Sequence, residues 1–200
     1  KVYQQTVLAP AFTWLLFFLV ISIAIGSRVN YEFNYINFLA PGLIVMTMMQ
    51  NAFANTSSSI LGSKMQGNIV DMLMPPLNSN EIIFSYVSAA MIRAILVGFV
   101  TWLFIYPFSD LSLFSLSILF IYTILGSILL ALLGLIAGIW AEKFDHMSGI
   151  TNFIITPLTF LSGTFYTIDK LPEPFFTISL FNPFYYIIDG FRSAFQSDIN

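Results

Sequence analysis

The sequence predicts an all-α protein built as a bundle of membrane-spanning helices. Hydrophobic residues make up 58% of its 200 residues, and charged residues only 8%. A soluble domain carries roughly 25% charged residues, because its surface must be hydrated. With so few charges, most of this chain's surface must face lipid. The charges that exist cluster in short breaks between apolar runs, as expected for spanning helices joined by short loops.

Five apolar segments are long enough to cross a bilayer, which takes about 20 mostly apolar residues in a helix. They cover residues 10–26, 36–60, 82–106, 113–140 and 149–168. The fifth segment is the most polar and contains Pro157, followed by Ser162 and Gly163. Because irregular backbone at membrane depth is stable only inside protein or beside water, these residues predict a re-entrant pair of half-helices over residues 157–181.

Beyond the fifth segment, the Asn182-Pro183 pair precedes an amphipathic stretch, residues 184–195. Within that stretch Asp189 and Arg192 are three residues apart, which makes them neighbours on a helix surface. We expect them to form a structural ion pair on a helix that lies at the membrane interface.

The break between the second and third segments, residues 62–80, predicts a short helix that two prolines terminate. Its apolar side chains recur at i, i+4, i+7 and i+8 and form one stripe, with polar side chains off it. From Lys64 onward the apolar residues are Met65, Ile69, Met72 and Leu73, and the polar ones are Gln66, Asn68 and Asp71. About three turns are too few to span a membrane. The helix therefore either docks a soluble partner or rests on lipid headgroups.

Arg93 lies in the middle of the third apolar segment. An arginine at bilayer depth costs a few kcal/mol or more, so it normally faces the bundle interior or a wet cavity. It either contacts an anionic substrate group, forms a switchable pair between helices, or fixes helix packing through a static pair. No acid lies within one or two helical turns of it along the sequence.

The second apolar segment carries an unusual number of polar residues, at Thr47, Gln50, Asn51, Asn55, Thr56 and 57–59. Asn51 and Asn55 are four residues apart and share a helix face. In lipid, such side chains hydrogen-bond across helices or line water. Bonding between helices is favoured over the lining of a pathway. In the fourth segment, Gly134 and Gly138 form a small-xxx-small pattern, which allows another helix to approach closely.

Several kinds of chemistry are absent from the sequence. There are no cysteines, and His146 is the single histidine, so no metal site is expected. No phosphate-binding loop of the G-x-x-x-x-G-K-[ST] type occurs, so we expect no ATP or other cofactor on this chain. The net charge of −3 gives no reason to expect a nucleic-acid partner.

Read together, these stretches resemble the ABC-2 type transporter permease family, and most of all its inner-membrane permeases for drugs, polysaccharides or lipo-oligosaccharides. The resemblance covers nearly the whole chain. Its most specific stretches are Thr156–Tyr166 and the Asn182-Pro183 pair. The others are Phe38–Leu43, Asn51–Asn55, Leu61–Lys64, Asn68–Leu73, Phe144-Asp145, Leu171-Pro172 and Gly190–Arg192.

The resemblance implies a subunit with six spans, two copies of which pair with two ATPase subunits that bind ATP. The loop between the second and third spans would be cytoplasmic and would carry the coupling helix, here Lys64 to Leu73, which docks the ATPase. Residues 142–148 would share that side, and residues 169–174 would face outward. Lys and Arg are evenly divided between the two sides, so charge alone does not orient the bundle.

Against this family pattern, we expect residues 1–200 to form one membrane domain that lacks the interfacial helix before the first span. The sixth span, which follows the short re-entrant helices, is expected to be missing as well. The expected location is the bacterial inner membrane, with lipid and a second permease copy as partners.

The leading hypothesis is a permease subunit of an ATP-driven exporter for a drug, lipid or (lipo)polysaccharide, with no enzymatic activity of its own. The alternative is a self-contained channel or secondary transporter, in which Arg93, Asn51 and Asn55 line the route. An intramembrane enzyme is disfavoured, because it would need a second catalytic group near Arg93 or His146.

Overall fold

The computed structural model describes residues 7–26 and 35–195, and over these ranges the chain is helical with no strand. Within these ranges nine α-helices follow one another, with a π-helix at Thr151–Ile155 between the sixth and the seventh. They are α1 Ala9–Gly26, α2 Tyr35–Met65, α3 Ile69–Leu73, α4 Ser79–Ile105, α5 Leu116–Trp140, α6 Phe144–Ile150, α7 Thr156–Phe160, α8 Phe175–Leu180 and α9 Pro183–Ser193.

Three of these helices, α2, α4 and α5, are long and apolar enough to cross a membrane, and α1 is a shorter apolar helix. The predicted all-α membrane bundle is therefore confirmed. Helix α2 lies at its centre, packed against α1, α4, α5 and α9. It is also the least apolar of the three long helices. A central helix can carry polar side chains, because protein rather than lipid covers them.

Two glycines of α5 allow a close contact with α2. A Cβ atom at Gly134 would overlap Thr56 Oγ1 and the carbonyl oxygen of Phe53, both on α2. One at Gly138 would lie 2.9 Å from the carbonyl oxygen of Ser57. The predicted close approach at these two glycines is confirmed, and α2 is the helix that approaches.

The fifth apolar segment differs from its prediction. Pro157 does not break it, because α6, the π-helix and α7 form one continuous helical rod, residues 144–160. Proline lacks an N–H group and its ring crowds the preceding turn of an α-helix, whereas the wider π-turn just before it relieves that crowding. The chain turns only after Phe160, where Gly163 adopts a left-handed φ of 71°.

The short helix after α2 also differs from its prediction. Helix α2 continues through Lys64 and Met65, and α3 contains five residues instead of about three turns. Gly67 separates them with a φ of 78°, which only glycine adopts readily. Met65 is therefore the last residue of α2, whereas Ile69 is the first residue of α3. The predicted apolar stripe is divided between two helices.

Helix α3 and helix α9 mark opposite ends of the bundle. Lys64 Nζ donates to the carbonyl oxygens of Ile139 and Ala141, at 2.7 and 2.6 Å. Residues 66–78 and 141–148 thus share one end, here called the α3 end, as the resemblance implies. The other end, here called the α9 end, holds residues 106–115, residues 161–182 and the last turn of α9, where Ala194 O accepts from Phe114 N. The first turns of α9 lie deeper, where Phe184 and Ile188 approach Gln50 and Leu130.

Candidate functional site

The α3 end presents an exposed apolar surface. It is formed by side chains that are 52–75% exposed, namely Met65, Val70, Leu73, Met74 and Leu77. We call these five residues the α3 surface. Asp71, Gln66 and Asn68 are exposed beside it. The sequence stripe did not include Val70, Met74 or Leu77, because it assumed one uninterrupted helix.

Lys64, predicted as part of the docking helix, is half-buried and points toward α5. Its ammonium group binds the last carbonyl oxygens of α5, Ile139 and Ala141. These groups have no partner within their own helix, and a cation near them is favourable. Lys64 therefore links the α3 end of α2 to the corresponding end of α5.

Arg93 finds its partner on α2. Its Nη1 donates to Asn55 Oδ1, a neutral acceptor 38 positions away in the sequence. A cavity of about 470 Å³ opens beside this pair, between α2 and α4, and Ser59, Ser85 and Tyr86 also line it. Helical spacing along one segment could not reveal this pair, because its members lie on two different helices.

The polar residues of α2 have different surroundings instead of forming one stripe. Thr47 Oγ1 donates to its own helix at Leu43 O, 2.6 Å away, and Thr56 Oγ1 does the same at Ala52 O, 3.1 Å away. Asn51 lies one turn before Asn55 and is half-buried.

A second cavity of about 370 Å³ lies between α2 and the rod of residues 144–160. Its polar lining comes from Gln50, Ser57 and Ser58 on α2, and from Ser148, Thr151, Asn152 and Thr156 on the rod. We call this cavity the polar cleft. The sequence indicates the polar residues on α2, but not that polar residues of the rod face them. The sequence signal for these positions is their spacing, because residues 148, 151, 152 and 156 lie on one face of a helix.

At the α9 end, Arg192 holds three segments together. Its Nε donates to Phe38 O at 3.2 Å, its Nη2 donates to Gly163 O at 3.0 Å, and its guanidinium stacks 3.7 Å from the Phe38 ring. The predicted pair with Asp189 is present at 3.9 Å. Burial lowers the pKa of Arg192 to about 10, so it stays protonated at neutral pH. The sequence predicts this helix at the membrane interface but does not indicate that Arg192 binds the carbonyl groups of Phe38 and Gly163.

The other predicted re-entrant residues support the same turn. Asn182 is buried, and its Nδ2 donates to Leu158 O at 2.6 Å. Its Oδ1 accepts from the N–H of Phe184 at 3.0 Å, which caps α9, and Pro183 occupies the first turn of that helix. The Ser162 hydroxyl lies 2.8 Å from the hydroxyl of Thr164. These contacts fix α9 against the end of the rod.

Comparison with known proteins agrees with this architecture. The ABC-2 type transporter family matches residues 1–195. The chain is 36% identical to "Inner membrane transport permease YadH" of Escherichia coli (strain K12), over 98% of this chain and 77% of that protein. It is 29% identical to "Nodulation protein J" of Rhizobium leguminosarum bv. viciae, over 80% of this chain and 62% of that protein.

No solved structure matches this chain. The helical bundle and the family match over residues 1–195 nevertheless agree. The chain belongs to the ABC-2 type transporter family and is a multi-pass membrane subunit of an ABC transporter in the inner membrane.

Proposed function

We propose that this chain forms the substrate pathway of an ATP-driven exporter and receives its energy from ATPase subunits that dock at the α3 end. ATP is bound by those subunits and not by this chain. The α3 surface carries the proposal, because it leaves five neighbouring apolar side chains exposed at the end of the central helix. Exposed apolar patches mark sites of interaction with another protein or with the membrane, and the proposal takes the first of these.

The connections of the α3 end provide a route for coupling. Helix α2 runs from the α3 surface along the whole bundle and lines the polar cleft at Gln50 and Ser57. Lys64 ties the same end of α2 to α5. A displacement of α3 would therefore move α2 and α5 together. An ATPase subunit can drive this movement of the helices only if it binds the chain before and after the movement with different affinity.

The polar cleft supports a pathway between two copies of this chain. It opens on the side of the bundle, between α2 and the rod, and combines hydroxyl and amide groups with Phe53 and Phe144. A second copy related by a two-fold axis would place an equivalent cleft opposite the first. Polar groups with aromatic side chains suit a drug, lipid or (lipo)polysaccharide substrate, the class that the resemblance implies.

The test is a double substitution on α3. Asp71→Arg reverses a charge beside the α3 surface, and Leu73→Asp places a charge on it. Both positions are exposed, so membrane insertion and bundle packing should be preserved. In vesicles reconstituted with the variant and the ATPase subunit, we expect no export. The ATPase subunit should also no longer co-purify with the variant. The matched control is Asp110→Arg with Phe108→Asp, the same charge change at exposed positions of the α9 end.

Normal export by the α3-surface variant would contradict docking at this site. Export by the wild-type chain without any ATPase would contradict the proposed energy source, and would favour a self-contained channel or secondary transporter.

A further inference from the structure

We propose that the cavity between α2 and α4 binds the phosphate headgroup of an anionic phospholipid from the leaflet at the α3 end, with Arg93 as its principal ligand. This site is separate from the polar cleft and from the α3 surface, and it does not depend on the proposed export.

Arg93 carries a positive charge that no described acidic side chain balances. Within residues 7–26 and 35–195, the single ion pair is that of Arg192 with Asp189, so no described carboxylate lies within 4 Å of Arg93. Its hydrogen bond goes to the neutral amide of Asn55. A guanidinium has five N–H donors and a full positive charge. An uncompensated cation at membrane depth is costly, so an anionic ligand there would be strongly favoured.

The side chain of Arg93 extends toward the α3 end. Helix α4 begins at the α3 end, and side chains of a helix tilt toward its N-terminus. The long arginine side chain thus reaches toward the interface at that end, as basic residues in membrane helices do. Ser59 lies one turn closer to that end than Asn55, and its exposed hydroxyl also lines the cavity.

The surroundings of the cavity favour a lipid over a soluble anion. The cavity of about 470 Å³ has room for a headgroup and opens sideways from the bundle. Ile92 and Leu96, which flank Arg93 on α4, are 59% and 50% exposed, and Phe99, one turn further along, is 57% exposed. These side chains form an apolar track on α4 that continues from Arg93 away from the α3 end. A phosphate bound at Arg93 would place its acyl chains along that track.

The hydroxyl of Ser85 has a separate role. It donates to the carbonyl oxygen of Glu81 in its own helix, at 2.7 Å, and so is not available to donate to a phosphate. The proposed headgroup ligands are therefore Arg93 and Ser59.

The experiment measures lipid preference by electron paramagnetic resonance, with the full chain in phosphatidylcholine nanodiscs that contain spin-labelled phosphatidylglycerol or phosphatidylcholine. We expect the wild type to prefer phosphatidylglycerol about fivefold, the scale set by one basic residue near a membrane surface. Arg93→Gln should bring the preference close to one, and Arg93→Lys should retain part of it. The matched control, Lys143→Gln, removes an exposed cation from the same end and should leave the preference unchanged.

A wild-type preference that persists in Arg93→Gln, or that is lost in Lys143→Gln, would overturn the proposal. Loss of the preference on adding millimolar inorganic phosphate would also overturn it, because the ligand would then be a free anion. If Arg93→Gln does not fold, as judged by gel filtration and helical content, Ser59→Ala and Arg93→Lys carry the test. In that case an unchanged preference in both variants overturns the proposal.

Discussion

The two ends of this bundle are held in different ways. At the α9 end, Arg192 binds carbonyl groups of two other segments, and Asn182 joins the rod to α9. Tyr35 at the start of α2 adds a bond to Phe165 O at 3.0 Å. At the α3 end, Lys64 supplies the bonds between helices, and the segment that follows it leaves apolar side chains exposed.

This difference suggests a division of labour between the ends. Buried, mutually bonded polar groups define one arrangement, because each group left unpaired would cost free energy. An exposed segment with few bonds is available to a partner and moves at lower cost. We infer that the α9 end holds the helices in register while the α3 end responds to the ATPase.

The largest expected effect comes from breaking the α9 end with Arg192→Leu. The carbonyl groups of Phe38 and Gly163 would lose their donor, at about 1–3 kcal/mol for each unsatisfied group. We expect a clear loss of stability in denaturant titrations of the detergent-solubilised chain. Asp189→Asn is the control. Because Asp189 is 58% exposed and 3.9 Å away, its loss should cost about 0.5 kcal/mol or less. Equal effects of the two variants would contradict the role of the carbonyl contacts.

Gly134→Ala tests the contact between α5 and α2, the helices that connect the two ends. The added methyl group would overlap α2 and separate it from α5, at a cost of about 1–3 kcal/mol. The control is Gly62→Ala on α2, where a Cβ meets no atom within 4 Å. That change should stabilise the chain by roughly 0.5–1 kcal/mol, since alanine favours helix. Thermal unfolding of the two variants in parallel measures the contrast, and a stabilised Gly134→Ala chain would refute the close contact.

Lys64→Met tests the link between α2 and α5 at the α3 end. It removes two charge-assisted hydrogen bonds, but water can reach this half-buried site, so we expect a cost of about 1 kcal/mol. Hydrogen exchange should increase near Ile139 and Ala141 and stay unchanged near Arg192. Lys143→Met, at an exposed position nearby, is the control. Increased exchange at both ends would show that they are not independent.

The smallest expected effect belongs to Gly67→Ala. A Cβ at this position meets nothing within 4 Å, so its cost arises from the left-handed backbone alone, about 1 kcal/mol. Global stability should change little, because α3 packs mainly against α2. The sensitive measurement is ATPase binding, which should weaken if the turn positions the α3 surface. Unchanged binding would show that this turn is dispensable for docking.

Much of the fold could be predicted from local patterns. Apolar runs gave the membrane class and the positions of α2, α4 and α5, because hydropathy and helix length act within each segment. Segment ends were less accurate. Pro157 lies inside a continuous rod, since a π-turn accommodates it. Helix α2 continues to Met65, just before Gly67, although the sequence predicts that Met65 belongs to the next helix.

The candidate site was only partly predictable. Arg93 and Asn55 are polar residues in apolar segments, and Arg192 is three residues from Asp189, all of which can be read from sequence positions alone. Their partners were not visible, because Arg93 meets Asn55 across 38 positions and Arg192 meets Phe38 across 154. Such pairs depend on the rotation of each helix about its axis, which no local pattern specifies.

The 200 residues alone predict a helical membrane bundle in which a short segment follows the second span, and they contain no phosphate-binding loop motif. Only the tertiary structure decided where that segment ends, which face of α2 meets α4 and which meets the rod, and that Arg192 is buried. The physical reason is that hydrophobicity acts residue by residue, whereas the pairing of polar groups requires two distant helices to pack in one register.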